Sequence, residues 1–115
     1  LIEAVGMPNV GACWDTGHAH LSGQDQPASL RELGERLHAL HIADNHGATD
    51  EHMPPFFGGI DWPPILAALR EIGYDGDFTF EAHNLVRRVP AACQAEAIRL
   101  LYQIGAHMVE EAGEW

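Results

Sequence analysis

The chain has 115 residues, 46% of them hydrophobic and 20% charged, the balance of a soluble globular domain with one core rather than of a disordered or fibrous chain. Its 17 acidic residues outweigh six basic ones, all arginine, and the resulting net charge of -11 excludes a basic stripe able to neutralise nucleic-acid phosphates. The lack of lysine excludes a Schiff-base or phosphate-loop lysine, and no apolar stretch approaches the roughly 20 residues that span a bilayer.

Leu1 to Val5 reads as the tail of a helix broken at Gly6 and Pro8, without a basic region or cleavage site, so no signal peptide is expected and the chain is expected to be an N-terminally truncated fragment. Cys13 and Cys93 form neither a disulfide framework nor a CxxC pattern, which fits a reducing, cytoplasmic setting. Val10 to Trp14 is a short apolar run, expected as a buried strand, that ends abruptly in a polar loop, Asp15-Thr16-Gly17-His18. Pro27-Ala28-Ser29 then opens a predicted helix with Leu30, Leu33 and Leu37 at helical spacing, capped at or near Ser29 and with His38 at its end.

Leu40 to Ala43 repeats the strand pattern with His41 inside it. It is followed by Asp44-Asn45-His46-Gly47 and a polar loop that runs through Gly59 and carries Asp50, His52 and Phe56-Phe57-Gly58-Gly59. Loops beyond about 12 residues in compact domains are usually functional or disordered, and this one has the composition of an ordered one. Asp61 is the expected N-cap of a helix with Pro63 near its first position, Ile65, Leu66, Leu69 and Ile72 on one face, and Gly73 as its stop. Asp75-Gly76-Asp77 is a turn, Phe78-Thr79-Phe80 a strand, and Glu81-Ala82-His83-Asn84 its polar outlet; a last helix spans about Pro90 to Ala112, with Ile98, Leu101, Ile104 and Val109.

The order β-α-β-α-β-α is that of parallel strands with helices packed outside. The fold class expected is α/β, the last three βα units of a (β/α)8 barrel, with residues 1–115 as its C-terminal portion and five further units upstream. In such folds the strand C-termini share the face where sites are built, so the three outlets should converge. The candidate metal ligands are Asp15, His41 and Glu81, with His18, Asp50 and His52 as further candidates, because carboxylate oxygens and imidazole nitrogens on rigid strand ends suit Mn, Mg, Co or Zn.

Each of these residues alone has an ordinary explanation: an Asp-x-x-His after a strand is commonly a turn and a cap, and a lone strand histidine a hydrogen-bonded core residue. Their recurrence at three successive strand ends is what favours a metal site. His20, His46 and His83 are placed near the site as partners that orient ligands, and His107 in the last helix as a surface or core residue. Trp62 and the Phe56-Phe57 pair are read first as packing, with an aromatic lid over a small substrate as the alternative, and Arg87-Arg88 as solvated charge.

The segments Cys13-Trp14-Asp15-Thr16-Gly17-His18, Leu40-His41-Ile42-Ala43-Asp44-Asn45, Asp50-Glu51-His52, Gly58-Gly59-Ile60-Asp61-Trp62 and Tyr74 to Glu81 together resemble the xylose-isomerase-like TIM barrels. That family includes sugar and sugar-phosphate isomerases and epimerases and the endonuclease IV type of DNA-repair enzyme (AP endonuclease family 2). The resemblance implies barrel strands six to eight, with Asp15, His41 and Glu81 completing a one-ion divalent site whose fourth ligand, a glutamate, lies upstream of Leu1. It further implies that His18 faces substrate and that Glu81 exchanges a proton at the carbon beside a carbonyl. His18, His52 and Trp62 are the expected substrate contacts. In the endonuclease branch, His18, Asp50 and His52 would hold a further zinc, for two or three in all.

Two activities and one inactive state follow as expectations. The first is a metal-dependent isomerase or epimerase of a small sugar or sugar phosphate, in which a metal-stabilised enediolate forms as Glu81 removes the adjacent proton. The second is a zinc-dependent phosphodiesterase acting on abasic DNA, which the acidic balance disfavours. The third is a non-catalytic truncated barrel; the isolated chain is expected to be inactive and weakly stable or homo-oligomeric.

Overall fold

The computed structural model describes residues 2–113. Three strands, β1 (Ala12–Asp15), β2 (Leu37–Ile42) and β3 (Phe78–Phe80), form one sheet in the order β1-β2-β3, and both pairs are parallel. The helices are α1 (Ile2–Val5), α2 (Thr16–Leu21), α3 (Gln26–Leu33), α4 (Trp62–Glu71), α5 (His83–Arg88) and α6 (Gln94–Ala112). Leu1, expected to begin the first helix, lies outside the described residues.

Helices α3, α4 and α6 cover one face of the sheet. Leu30 of α3, Leu40 and Ile42 of β2, Ile65, Leu66 and Leu69 of α4 and Met108 of α6 are buried together in the core, with Trp14, Phe78 and Phe80 packed against it. Burying such side chains contributes roughly 1.5–3 kcal/mol each, which is why the apolar spacing of these helices predicts which face turns inward. On the opposite face Asp15, His41 and Thr79 sit side by side in register, and Cys13 and Thr79 are exposed. The radius of gyration is 14.8 Å, above the roughly 13 Å of a compact domain of this length, in keeping with a sheet covered on one side.

Several local expectations are corrected. Thr16, Gly17 and His18, expected as loop, begin α2, because the Asp15 carboxylate accepts from the backbone N–H of His18 and supplies the N-cap. The cap of α3 is Asp25, whose side chain accepts from Ala28 N, and Ser29 already lies inside that helix. Leu37 and His38 belong to β2, since Gly34, at φ +52, and a 3-10 turn over Gly34–Arg36 end α3 before them. Asp61 stands at the N-cap position of α4 without a side-chain capping bond, while Gly73, at φ +65, closes the helix as its sequence predicts. No helix among the described residues is long and apolar enough to cross a membrane.

Tyr74, half-buried after α4, donates its hydroxyl to the Asp77 carbonyl, and burial and then the Asp77 carboxylate push its phenol up to about 12 from an ordinary 10.0. Across that interval the unfolded phenol ionises while the folded one stays neutral, so stability falls as pH rises from 10.0 to about 12 and levels off above it. Denaturation midpoints across this window are expected to fall less steeply in Tyr74→Phe than in the parent. At the surface, the Arg31–Glu71 pair joins α3 to α4 with both partners exposed; Arg31→Ala is expected to leave the urea denaturation midpoint at the parent's value.

Candidate metal centre

Each strand delivers one chemical group to the C-terminal edge of the sheet. Asp15 ends β1, His41 is its register partner in β2, and Glu81 follows β3, its backbone N–H donating to the Ile42 carbonyl at 2.9 Å. Two polar locks align the first two outlets. The Thr16 hydroxyl donates to the Ala43 carbonyl at 2.8 Å and accepts from the Ala43 N–H at 3.1 Å, and the Asn45 side-chain amide donates to the Gly17 carbonyl at 3.0 Å. Thr16 and Asn45 are buried, so these bonds are shielded from water and hold the start of α2 against the end of β2. Gln26 extends the arrangement, accepting from the Trp14 indole and donating to the Thr16 carbonyl.

Asp15, His41 and Glu81 each offer one ligand atom, and the three atoms lie within 4.8 Å of one another, all partly buried. His41 Nδ1 is 3.2 Å from Glu81 Oε1 and 3.9 Å from Asp15 Oδ2. Two carboxylates and one imidazole on three rigid strand ends form a donor set that fits a divalent cation with positions left for water or a ligand. Among the described residues this is the one such convergent group.

The further candidates form a chain around it. His18 Nδ1 is 2.9 Å from Asp15 Oδ2 and its Nε2 is 3.5 Å from Asp50 Oδ2; Asp50 Oδ2 is in turn 2.9 Å from His52 Nε2. His52 Nδ1 donates to the Glu81 carbonyl oxygen at 2.9 Å, and the Glu81 carboxylate Oε2 lies 3.9 Å from the same nitrogen. The hydrogen bond to Asp15, and then the charge of Asp15, raise the pKa of the exposed His18 above the ordinary imidazole value. In metal-free protein, Asp15→Asn is therefore expected to move the NMR titration of His18 to lower pH. Cys13, on the same sheet face, has its thiol pKa raised by desolvation and then by the carboxylates of Asp15 and Glu81, which disfavours its thiolate.

The remaining sequence candidates separate. Trp62, expected among the substrate contacts, is 1% exposed and donates its indole N–H to Asp44 Oδ2 at 3.0 Å; it is a core residue with no surface turned to the site. The His46 backbone N–H at 2.7 Å, and then its ring at 2.8 Å, lower the Glu51 pKa, and His83 packs its ring 4.7 Å from that of His52. Phe56 and Phe57 are exposed, Phe56 lying against the rings of Trp62 and His107. Asp44 was missed as a structural centre: its fully buried carboxylate accepts four hydrogen bonds, from the N–H groups of Asn45, Phe56 and Ile60 and from Trp62.

A family model described as Xylose isomerase-like TIM barrel matches residues 1–104. The chain is 42% identical, over 63% of its length, to an uncharacterized protein (y4fM) of Sinorhizobium fredii, of which it covers 23%. It is 30% identical over 72% of its length to a ketose 3-epimerase of Arthrobacter globiformis, of which it covers 27%. Among solved structures, a D-tagatose 3-epimerase-like protein superposes with a TM-score of 0.63 at 25% identity, covering 90% of this chain and 37% of that one. The chain thus spans about a quarter of the length of these curated relatives.

Proposed function

This chain belongs to the xylose isomerase-like TIM barrel family, and on that premise we propose that it supplies strands six to eight, and three metal ligands, to a divalent-metal-dependent isomerase or epimerase of a small ketose or ketose phosphate. The observation that carries the reading is the convergence of Asp15, His41 and Glu81 within 4.8 Å at the C-terminal edge of parallel strands. The names of a curated relative and of the solved neighbour, both 3-epimerase types, support it. The fourth ligand, a carboxylate, would come from outside these residues.

What a divalent ion supplies at such a site is positive charge that stabilises negative charge developing on substrate oxygens. The chain's own residues do the rest. Glu81 turns Oε1 toward His41 and Oε2 toward His52. The Oε2 side is the one we assign to removing and returning the proton at the carbon beside the substrate carbonyl. His18, exposed and held protonated to higher pH by Asp15, donates to a substrate oxygen on the open side of the site. His52 borders the same space through its contacts with Asp50 and Glu81.

The His18–Asp50–His52 chain is the observation that favours a second reading, a multi-zinc phosphodiesterase, although these three do not form a convergent ligand group. The test uses the whole protein carrying these residues, incubated in D2O with Mn2+, Co2+, Mg2+ or Zn2+ and a panel of ketopentoses and ketohexoses, free and phosphorylated. Metal-dependent deuterium incorporation beside the carbonyl, abolished by chelator, is expected, with one ion per chain. Two or three zincs together with cleavage of abasic DNA would replace the proposal with the second reading. Absence of any bound metal would end both. The 115-residue chain alone is expected to give no turnover.

A further inference from the structure

The loop between β2 and α4 holds an unusual backbone. Among the described residues, the non-glycine residues at positive φ are His52, at 47°, and Phe56, at 71°, and both lie in this loop. Such conformations cost of order 1–3 kcal/mol each and persist where the surroundings over-determine them. Both are tied to Asp44. The backbone of Asp44 makes a two-bond antiparallel bridge with Met53, the residue after His52, through Asp44 N to Met53 O at 2.8 Å and Met53 N to Asp44 O at 3.0 Å. Its carboxylate accepts from Phe56 N at 3.1 Å and, further along, from Ile60 N at 3.2 Å and the Trp62 indole at 3.0 Å. Gly58 passes so close that an added Cβ would lie 2.2 Å from Asp44 Oδ1, so the backbone closes on the carboxylate with no room for a side chain.

We infer that Asp44 is a positioning residue for His52: the buried carboxylate folds the loop around itself and thereby fixes the strained turn that sets the His52 ring between Asp50 and the Glu81 carbonyl. Asp44 itself is 0% exposed and all its acceptors face inward, so it acts through the loop and not on a substrate. The inference rests on the proposed function only for the consequence that His52 borders the substrate. The hydrogen-bond geometry stands without it. Since the Asp15, His41 and Glu81 ligands ride on or directly follow the strands, their arrangement is expected to survive loss of the hub.

The experiment is an NMR comparison of the metal-free whole protein with its Asp44→Asn and Gly58→Ala variants at one pH, reading the His52 ring Nδ1–H and backbone hydrogen exchange. Asn keeps the shape but replaces one acceptor oxygen by an NH2 that opposes a donor; Gly58→Ala leaves the carboxylate in place but crowds it together with the Asn45 backbone, whose O and N would lie 2.5 and 2.7 Å from the added Cβ. Expected in both are a shifted or lost His52 Nδ1–H signal and roughly 10- to 100-fold faster exchange at Phe56 and Ile60, with exchange in β1 and β2 unchanged. Mn2+ affinity, titrated separately, is expected to stay within twofold of the parent. A His52 ring signal identical to the parent's would overturn the inference, as would loss of Mn2+ binding in step with the His52 change, which would make Asp44 a support of the whole site. If Asp44→Asn fails to fold, Gly58→Ala decides on the same criteria. If the parent binds none of Mn2+, Co2+, Mg2+ or Zn2+, the proposed function fails while the His52 readout still decides the role of Asp44.

Discussion

Glu81→Gln is expected to lower deuterium exchange into a ketose by roughly 10²- to 10⁴-fold at saturating metal, the usual contribution of a positioned general base. Glutamine keeps the length and one carbonyl oxygen of Glu81 but cannot accept the proton. Its weaker donor oxygen also lowers metal affinity, because Oε1 lies in the ligand cluster 3.2 Å from His41 Nδ1. Asp15→Asn separates the two effects. It too removes a charged ligand, yet Asp15 has no assigned proton to move beyond holding His18, so raising the Mn2+ concentration is expected to recover most of the exchange in Asp15→Asn and none in Glu81→Gln. Equal recovery in both would remove Glu81 from its role as base and leave it as a ligand alone.

Trp62→Ala is expected to cost about 3–5 kcal/mol of folding stability, the range for truncating a buried aromatic. That is a large share of the roughly 5–15 kcal/mol that stabilises a domain in total. Trp62 begins α4, is 1% exposed and packs into the cluster of Ile65, Leu66 and Ile60, so its loss leaves a void where the loop joins the core. It also strands Asp44, whose Oδ2 then keeps only the Phe56 N–H. Trp62→Phe retains most of the packing and loses the indole donor, and is expected to cost about 1–3 kcal/mol. Urea denaturation of the two variants measures both terms; a loss below about 1 kcal/mol in Trp62→Ala would show that neighbouring side chains collapse into the space.

The parts of the fold legible in sequence are those in which chemistry changes along the chain over one or two residues. The passage from Trp14 to Asp15, and from Phe80 to Glu81, marks an apolar strand emptying into a polar edge, and that contrast survives in the structure. Strand β1, expected to be buried, is partly buried with Cys13 exposed, because this sheet is covered on one face. The α4 helix is legible because its apolar residues recur at helical spacing over ten residues. Helix α2 is not: six residues are too few to show a period, and short helices pay a nucleation cost that only tertiary partners offset. Here those partners are the Asp15 cap and the buried Thr16 hydroxyl. Leu37 fits the helical spacing of Leu30 and Leu33 equally well, and what assigns it to β2 is the Gly34 turn and pairing with Ala12. Trp62 and Asp44 were illegible for a different reason. Their hydrogen bond spans a loop whose path the local sequence does not encode, so a tryptophan beside an acidic cluster looked available to a substrate when it is enclosed.

The three ligands come from three separate strands, paired side by side but far apart along the chain. On the proposed function, an ion shared by them would act as a removable crosslink: it would close two long chain segments at once, and an unfolded chain would lack the preformed cluster that gives the ion its affinity. Occupancy is then itself a folding force, worth about 2.7 kcal/mol when free ion stands at 100 times its dissociation constant. On the proposed function, starvation for the ion is expected to appear first as loss of protein to proteolysis and only second as loss of turnover.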